Sequence, residues 1–346
     1  MFQLLFLGIV AVAGCTNESA EPANALDTGH EERGSPPVTI VTALPATAAE
    51  SDQTRRAAES GTLAPLGSSG VPSYWSTPTT AINPQPTPAN ANFDALTRQM
   101  LDLVNQARVA EGQSPLAWDP IAAAAGRRHA ADMVRLGYFS HRNPAGLGPD
   151  HRYTLAGGRH AVQENLHAFS YTYPDGSGAP IEDWEQVIAD AHENLMSSPG
   201  HRENVLAPAH THLGIGLAYN PKTGEFRLAQ EFTKQYVRLE QPIPLVGRLG
   251  QIIPVQGSVP VSGVENLLLS LAYEPFPDPL NLEQLNQGGV YVSNAESVTV
   301  WPLDSPFDRS MPLNSEGRSG LYHIRIFGDV EGKQALLVDQ VIAAQP

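Results

Sequence analysis

Residues 196–206, MSSPGHRENVL, decide the fold prediction for this chain. Apolar residues precede this stretch at helical spacing, which predicts a helix over residues 180–196. Pro199 and Gly200 then end that helix, and we predict a short helix over residues 201–206. His201 is therefore expected at the start of a short helix that directly follows a longer one.

Two other short strings carry side chains of related chemistry. His141 ends the string YFSH, and Glu164 is the centre of the string QEN. Two imidazoles and a carboxylate that converge in a folded domain can hold a divalent metal or activate a water. The alternative is a hydrogen-bond network that fixes the sheet against the third helix. Of the other histidines, we expect His129 in the core and His210 on a surface loop.

The regions around these strings predict a mixture of helices and strands. Helical spacing begins at Phe93, and Asp119-Pro120 is typical of the start of a second helix over residues 121–136. The alanines of that second helix permit close packing against a sheet. Alternating apolar residues predict three strands, over residues 161–169, 213–219 and 226–232. Residues 93–238 are therefore predicted to form one α+β domain with a largely antiparallel sheet.

The pattern changes in residues 241–346. Short segments rich in β-forming residues alternate there with Pro, Gly, Asn and Asp. Such spacing predicts a small β-sandwich, of which the Ig-like arrangement is one form. This part of the sequence contains no ligand cluster that we recognise, so we expect an interaction or spacer role for it.

The N-terminal part is predicted to be a leader followed by a tether. Residues 2–14 form an apolar run that is too short for a bilayer, which needs about 20 residues, but has the length of a signal-peptide core. The string VAGC at residues 12–15 resembles the bacterial lipobox, so we predict a signal peptide over residues 1–15 with lipidation at Cys15. No Lys or Arg precedes the run, and the alternative is an apolar leader with an incidental cysteine. Residues 16–92, rich in Ala, Pro, Ser and Thr, predict a disordered tether.

The order of the motifs in residues 93–238 resembles a bacterial CAP domain, of the cysteine-rich secretory, antigen 5 and pathogenesis-related-1 superfamily. The matching strings are LVNQAR (103–108), PLAWDP (115–120), FSH (139–141), EN (164–165), MSSPGHRENVL (196–206), LGIG (213–216) and QEF (230–232). The resemblance implies an α-β-α sandwich with a central antiparallel sheet and an open cleft.

The resemblance also implies the composition of that cleft. His141 and His201 match the two cleft histidines, which can hold zinc or another divalent cation in related domains, and Glu164 matches the cleft glutamate. Gln163 replaces the usual glycine of the Gly-Glu-Asn motif. Serines occupy the usual position of a second glutamate, and Glu193, one turn away, is the candidate to replace it.

Composition and motifs narrow the function to two classes. A formal net charge of −15 argues against nucleic acid as a partner. The first class is a non-enzymatic binding module for a divalent metal, a small apolar ligand, or a cell-envelope polymer or protein. The second is a metal-assisted, peptidase-like hydrolase with His141 and His201 as metal ligands and Glu164 as general base. The sequence lacks a Gly-x-Ser-x-Gly elbow and a His-Glu-x-x-His pair, so we favour the first class.

The predicted leader sets the expected location. We expect an extracytoplasmic protein of the bacterial cell envelope, held to the membrane by a lipid at Cys15. If Cys15 is not modified, we expect a secreted protein.

Overall fold

The computed structural model describes residues 71–75, 88 and 91–346. Cys15, the predicted leader and most of the predicted tether lie outside the described residues. A 3₁₀ helix covers Ser73–Trp75, and the α-helices of the described part are α1 (Phe93–Ala110), α2 (Pro120–Leu136), α3 (Pro149–Leu155), α4 (Trp184–Ser197), α5 (Pro199–Leu206) and α6 (Leu282–Leu285).

The strands form three sheets. In chain order they are β1 (Ala117–Trp118), β2 (Val162–Ser170), β3 (His212–Asn220), β4 (Glu225–Thr233), β5 (Arg238–Leu239), β6 (Val246–Arg248), β7 (Ile252–Ser258), β8 (Val264–Glu274), β9 (Glu296–Pro302), β10 (Phe307–Pro312), β11 (Gly320–Val330) and β12 (Lys333–Gln345). The first sheet has the order β1-β3-β4-β2, in which β1 runs parallel to β3 and the other pairs are antiparallel.

Local capping explains where the first two helices begin and where the second one ends. The Asn92 side chain accepts the amide of Ala95 at 3.1 Å, and Asp119 Oδ1 accepts the amide of Ile121 at 2.8 Å. Each bond satisfies a backbone donor that the first turn leaves unpaired. Helix α2 ends at Gly137, whose φ of 73° lies in the left-handed region that glycine favours.

Helices cover both faces of the first sheet. The alternate apolar residues of β3 pack with α1, α4 and α5 in one core, whereas Gly214 and Gly216 face α2. A Cβ on Gly216 would lie 2.0 Å from the backbone N of Arg127, so the helix backbone rests directly on the strand. The small residues of α2 and β3 thus permit the close contact that the alanine-rich sequence predicts. The predicted α-β-α sandwich is confirmed.

The other two sheets form the C-terminal β-sandwich. A three-stranded sheet of order β10-β7-β5 faces a five-stranded sheet of order β6-β12-β11-β8-β9, and apolar side chains from both fill one core. The fold class is therefore α+β, as predicted. Val237 and Leu239 already belong to the sandwich core. The division of the chain at residues 238 and 241, and an Ig-like arrangement, stay predictions.

The segment between α2 and β2 packs directly on the β-sandwich. The amide of Ala161 donates to the carbonyl of Leu337 at 2.9 Å. A Cβ on Gly148 would lie 2.1 Å from the ring of Tyr291, which shows how closely the two parts approach. The α-β-α sandwich and the β-sandwich therefore share a packed junction.

Residues 71–75 correct one part of the tether prediction. Val71 and Trp75 are buried, and they pack with apolar residues from both sides of the junction. Trp75 Nε1 also donates to the carbonyl of Leu245 at 2.6 Å. The polar composition around residues 71–75 predicted solvated backbone. The side chains of Val71 and Trp75 nevertheless bury enough apolar surface at the junction to hold the segment there. This short piece is thus part of the folded core.

Candidate functional site

His141 and Glu164 meet at the edge of the first sheet. His141 lies in the loop after α2, and Glu164 lies on the edge strand β2. His141 Nδ1 donates to Glu164 Oε1 at 2.8 Å. The side chain of His141 is 19% exposed, whereas that of Glu164 is fully buried. The carboxylate therefore fixes the tautomer of His141 and leaves Nε2 as the nitrogen that a ligand can use.

Buried Arg152 contacts the carboxylate from behind, and buried His129 supports Arg152. Arg152 of α3 places Nη2 3.4 Å from Glu164 Oε2, and its Nη1 donates to His129 Nδ1. His129 Nε2 in turn donates to the carbonyl of Ser140 at 2.8 Å, one residue before His141. These bonds link the carboxylate, the guanidinium and the second imidazole to the backbone beside His141. One hydrogen-bonded network therefore lies beneath His141.

This network sets the charge of Glu164. Burial raises the pKa of the Glu164 carboxyl, but the Arg152 guanidinium and the hydrogen bond from His141 outweigh burial and lower that pKa to about 2. A general base works best with a pKa near the operating pH and must reach the proton it removes. Glu164 is buried, ionised and already hydrogen-bonded, so its arrangement favours orienting His141 and does not support the predicted role as base.

His201 reaches the same edge from the other side of β2. It lies in α5, and its carbonyl accepts Asn165 Nδ2 at 3.0 Å. Asn165 Oδ1 also accepts Asn204 Nδ2 at 3.0 Å, so one strand residue anchors α5 at two points. Burial, and secondarily the charge of nearby His141, lowers the pKa of His201 to about 4. His201 is thus a neutral imidazole at pH 7, the form that binds metals.

The fit to a metal can be tested from the donors. A catalytic zinc has three protein ligands. Here His141 and His201 offer two imidazoles, while the oxygens of Glu164 already accept from His141 and Arg152. Glu164 is therefore not free to serve as a third ligand, and His141 and His201 remain the two candidate ligands. Zinc at His141 and His201 stays a prediction.

The predicted fourth residue, Glu193, does not share this arrangement. It is exposed on α4, and helix geometry places it opposite the buried stripe that contains Ile188, Ala191 and Leu195. The phase of the helix therefore argues against Glu193 as a replacement for the second cleft glutamate.

Sequence reasoning missed three contributors to this region. Arg152 escaped notice because helix α3 is short and carries no strong apolar period. His129 is buried as expected, but it also bonds to Arg152. The expectation for His210 was wrong: it is 2% exposed, stacks on Phe232 and contacts Asn204. Its position just before β3, beside the core residue Leu213, was the available signal.

Residues 101–232 match the CAP family, described as the cysteine-rich secretory protein family. This part of the chain is a CAP domain. The match spans the strings from α1 to β4 and includes His141, Glu164 and His201. The CAP domain therefore holds the candidate cleft, and the β-sandwich lies beyond the matched residues.

Two proteins of Bacillus subtilis (strain 168) are similar to this CAP domain. The uncharacterized membrane protein YlbC is 33% identical over 120 residues, covering 35% of this chain and 31% of YlbC. The uncharacterized protein YkwD is 26% identical over 130 residues, covering 38% of this chain and 45% of YkwD. The chain thus spans less than half the length of either relative.

Two solved structures are also similar to part of the chain. One is an extracellular protein containing an SCP domain from Bacillus anthracis, with 27% identity, a TM-score of 0.33 and coverage of 41% of each chain. The other is an outer surface protein of Borrelia burgdorferi, with 14% identity, a TM-score of 0.32, and coverage of 42% of this chain and 96% of the other. Among the described residues, no helix is both long and apolar enough to cross a bilayer.

Proposed function

We propose that this protein is an extracytoplasmic binding module whose CAP-domain cleft binds its ligand through His141 and His201. The observation that carries the proposal is the buried ion pair of Glu164 with Arg152, 3.4 Å apart, behind the partly exposed His141. The pair uses the carboxylate to orient the imidazole, so Glu164 is not available for the role of base that the hydrolase hypothesis gives it. Binding needs a fixed imidazole, whereas hydrolysis also needs an available base.

The ligand chemistry follows from the hydrogen bond of His141 and the burial of His201. With Nδ1 donating to Glu164, His141 presents the lone pair of Nε2, and His201 is neutral at pH 7. Neutral imidazoles accept hydrogen bonds or bind a divalent cation. We therefore place a divalent cation such as zinc first among the ligands. A small apolar ligand, or a cell-envelope polymer or protein with a donor group, is the next choice.

A site-resolved binding measurement tests this proposal. Zinc, a medium-chain fatty acid and solubilised cell-wall fragments are added separately to the full chain while the imidazole NMR signals are followed. We expect at least one probe to shift the signals of His141 and His201. That probe should bind at least tenfold more weakly to the His141→Ala/His201→Ala variant, and unchanged to His192→Ala, which removes a half-buried histidine of α4.

A hydrolysis assay separates the two functional classes. Wild-type protein and Glu164→Gln are incubated with a broad peptide panel, with and without zinc. We expect binding without turnover. Zinc-dependent turnover that disappears in Glu164→Gln, with the fold intact, would overturn the proposal in favour of a metal-assisted hydrolase.

The location of the protein is part of the same proposal. The leader resemblance at residues 12–15 supports a lipid anchor at Cys15 on the outer side of a bacterial membrane. Labelling of expressing cells with an alkyne fatty acid should tag the wild-type chain in the membrane fraction and leave Cys15→Ser untagged. If the wild-type chain carries no tag and is found in the culture medium, the protein is secreted and the proposal of a lipid anchor is wrong.

A further inference from the structure

A second cluster of histidines and carboxylates lies in the junction between the CAP domain and the β-sandwich. Asp150 and His151 come from α3, and His323 comes from β11. All three are buried, and each offers one ligand atom such that these atoms lie within 4.8 Å of one another. Within the described residues, this is the group of three or more histidine, cysteine or carboxylate side chains whose ligand atoms lie within 4.8 Å of one another.

Each histidine of the cluster donates its other ring nitrogen to a carboxylate. His151 Nε2 bonds to Glu274 Oε1, and His323 Nδ1 bonds to Asp339 Oδ1 at 2.8 Å. A carboxylate only accepts, so these bonds place the proton of neutral His151 on Nε2 and that of neutral His323 on Nδ1. Burial lowers the pKa of His323, but the Asp339 carboxylate outweighs burial and raises that pKa to about 9. A bound metal would therefore displace the proton of His323 Nε2 and use the lone pairs of His151 Nδ1 and His323 Nε2. Histidines that bind metals in proteins almost always donate their other ring N–H to a carboxylate, a backbone carbonyl or a water.

Two of the remaining side-chain atoms of the cluster are buried without hydrogen-bond partners. Among the described residues, neither His323 Nε2 nor Asp150 Oδ2 has a hydrogen-bond partner, and both are buried. Asp150 Oδ1, in contrast, accepts the hydroxyl of Tyr291 at 2.8 Å. Unsatisfied buried groups are costly, and a bound ion is one explanation for them. Two such atoms in one group of three is the observation that singles out this cluster.

The contacts of His151 Nδ1 point the same way. This nitrogen lies 3.2 Å from Asp150 Oδ1, and two acceptors at that distance repel unless a positive charge lies near them. Metal bonds of about 2.0–2.1 Å in a tetrahedron would separate neighbouring ligand atoms by roughly 3.3 Å. The Gly148 amide donates to His151 Nδ1 at 3.0 Å. A bound cation would displace this hydrogen bond and take the lone pair of Nδ1.

Charge also favours a cation. Asp150 and Glu274 lie beside histidines: Asp150 Oδ1 is 3.2 Å from His151 Nδ1, and Glu274 Oε1 is 3.6 Å from His323 Nε2. Arg325 pairs with Asp339 at 3.0 Å, and a protonated His323 offsets a second of the three carboxylates, so these groups together keep a net negative charge. Buried charges need pairing or metal coordination.

We propose that Asp150, His151 and His323 bind a divalent transition metal that joins the CAP domain to the β-sandwich. Two imidazoles and one carboxylate suit zinc and leave its fourth position to a water, and the burial of all three residues argues against access for substrate. Glu274 and Asp339 orient the two rings. This site is separate from the cleft of His141 and His201, and it does not depend on the function proposed for that cleft.

Metal titration of the full chain tests the proposal. The protein is stripped with a chelator, and Co²⁺ is added while the visible absorption is recorded, followed by competition with Zn²⁺. We expect one equivalent of Co²⁺ at the junction, with the strong absorption of four-coordinate nitrogen and oxygen ligation, in addition to any Co²⁺ that the cleft binds. The His323→Gln variant should bind at least 100-fold more weakly, and Asp339→Asn 10–100-fold more weakly.

Two controls separate this site from the cleft. The His141→Ala/His201→Ala variant should keep the equivalent of Co²⁺ bound at the junction, and so should His192→Gln. Loss of that equivalent in the double variant, with retention in His323→Gln, would overturn the proposal and assign the metal to the cleft.

A measurement on the wild-type chain alone protects the test against variants that do not fold. Crystals soaked in zinc are measured at the zinc absorption edge. We expect an anomalous peak between Asp150, His151 and His323. The absence of a peak there at saturating zinc would refute the proposal and leave a metal-free network of hydrogen bonds and ion pairs.

Discussion

Replacing Glu164 by glutamine tests the account of the cleft most directly. The substitution keeps the size of the side chain and removes its charge, so that Arg152 stays buried without its carboxylate. The Glu164 pKa falls from an ordinary value of 4.5 to about 2, because the Arg152 guanidinium and the His141 hydrogen bond outweigh burial. A difference of about 2.5 units corresponds to roughly 3 kcal/mol in the free energy of unfolding. Breaking a buried ion pair from one side costs about 3–5 kcal/mol, which agrees.

The assay is urea unfolding followed by circular dichroism at several pH values. At pH 7 we expect Glu164→Gln to be about 3 kcal/mol less stable than the wild type. A lowered carboxyl pKa contributes stability that is present above about pH 4.5 and is lost as the pH falls toward 2. The difference between wild type and variant should therefore narrow between pH 5 and pH 3.

The matched control makes the same chemical change on the surface. Glu193→Gln alters an exposed glutamate on α4, so we expect its stability to stay within about 0.5 kcal/mol of the wild type. If Glu164→Gln costs no more than this control, the buried ion pair does not stabilise the fold as argued. If it costs 3 kcal/mol at every pH, the cost comes from packing and not from the charge.

Three further predictions concern the rest of the described chain. Trp75→Ala should lower the free energy of unfolding by about 3–5 kcal/mol in urea, because the indole is fully buried, whereas Trp118→Ala, at 38% exposure, should cost much less; equal costs would contradict docking of residues 71–75. Gly216→Ala should cost about 1–3 kcal/mol or more in the same assay, because its Cβ would lie 2.0 Å from the backbone of α2, and wild-type stability would disprove that contact. Burial, followed by the charge of Arg152, lowers the pKa of His129 to about 3, so the folded state resists protonation and stability should fall as the pH drops below 6.5. From pH 7 to pH 5 this loss is about 2 kcal/mol, and a His129→Gln variant that loses as much stability as the wild type would refute the assignment.

The local patterns of the sequence were sufficient for the architecture. Helix periodicity, the Asp119-Pro120 start and the stop at Gly137 depend on neighbours along the chain, and they are where the sequence predicts them. The alternation in β3 and the two glycines that face α2 are likewise readable, because each strand residue alternates between two chemically different faces. His141, Glu164 and His201 could be named as candidates because their strings resemble a known family.

What those candidates do depends on contacts between residues that are distant in sequence. The Arg152 guanidinium keeps the Glu164 carboxylate ionised and in place to orient His141, so Glu164 is no longer a candidate base. The residues around Glu164 in the sequence do not predict this contact with Arg152. The junction cluster is similar, since His151 and His323 are separated by much of the chain. Burial and pairing set the charge and availability of an ionisable side chain, and both are properties of the packed tertiary structure alone.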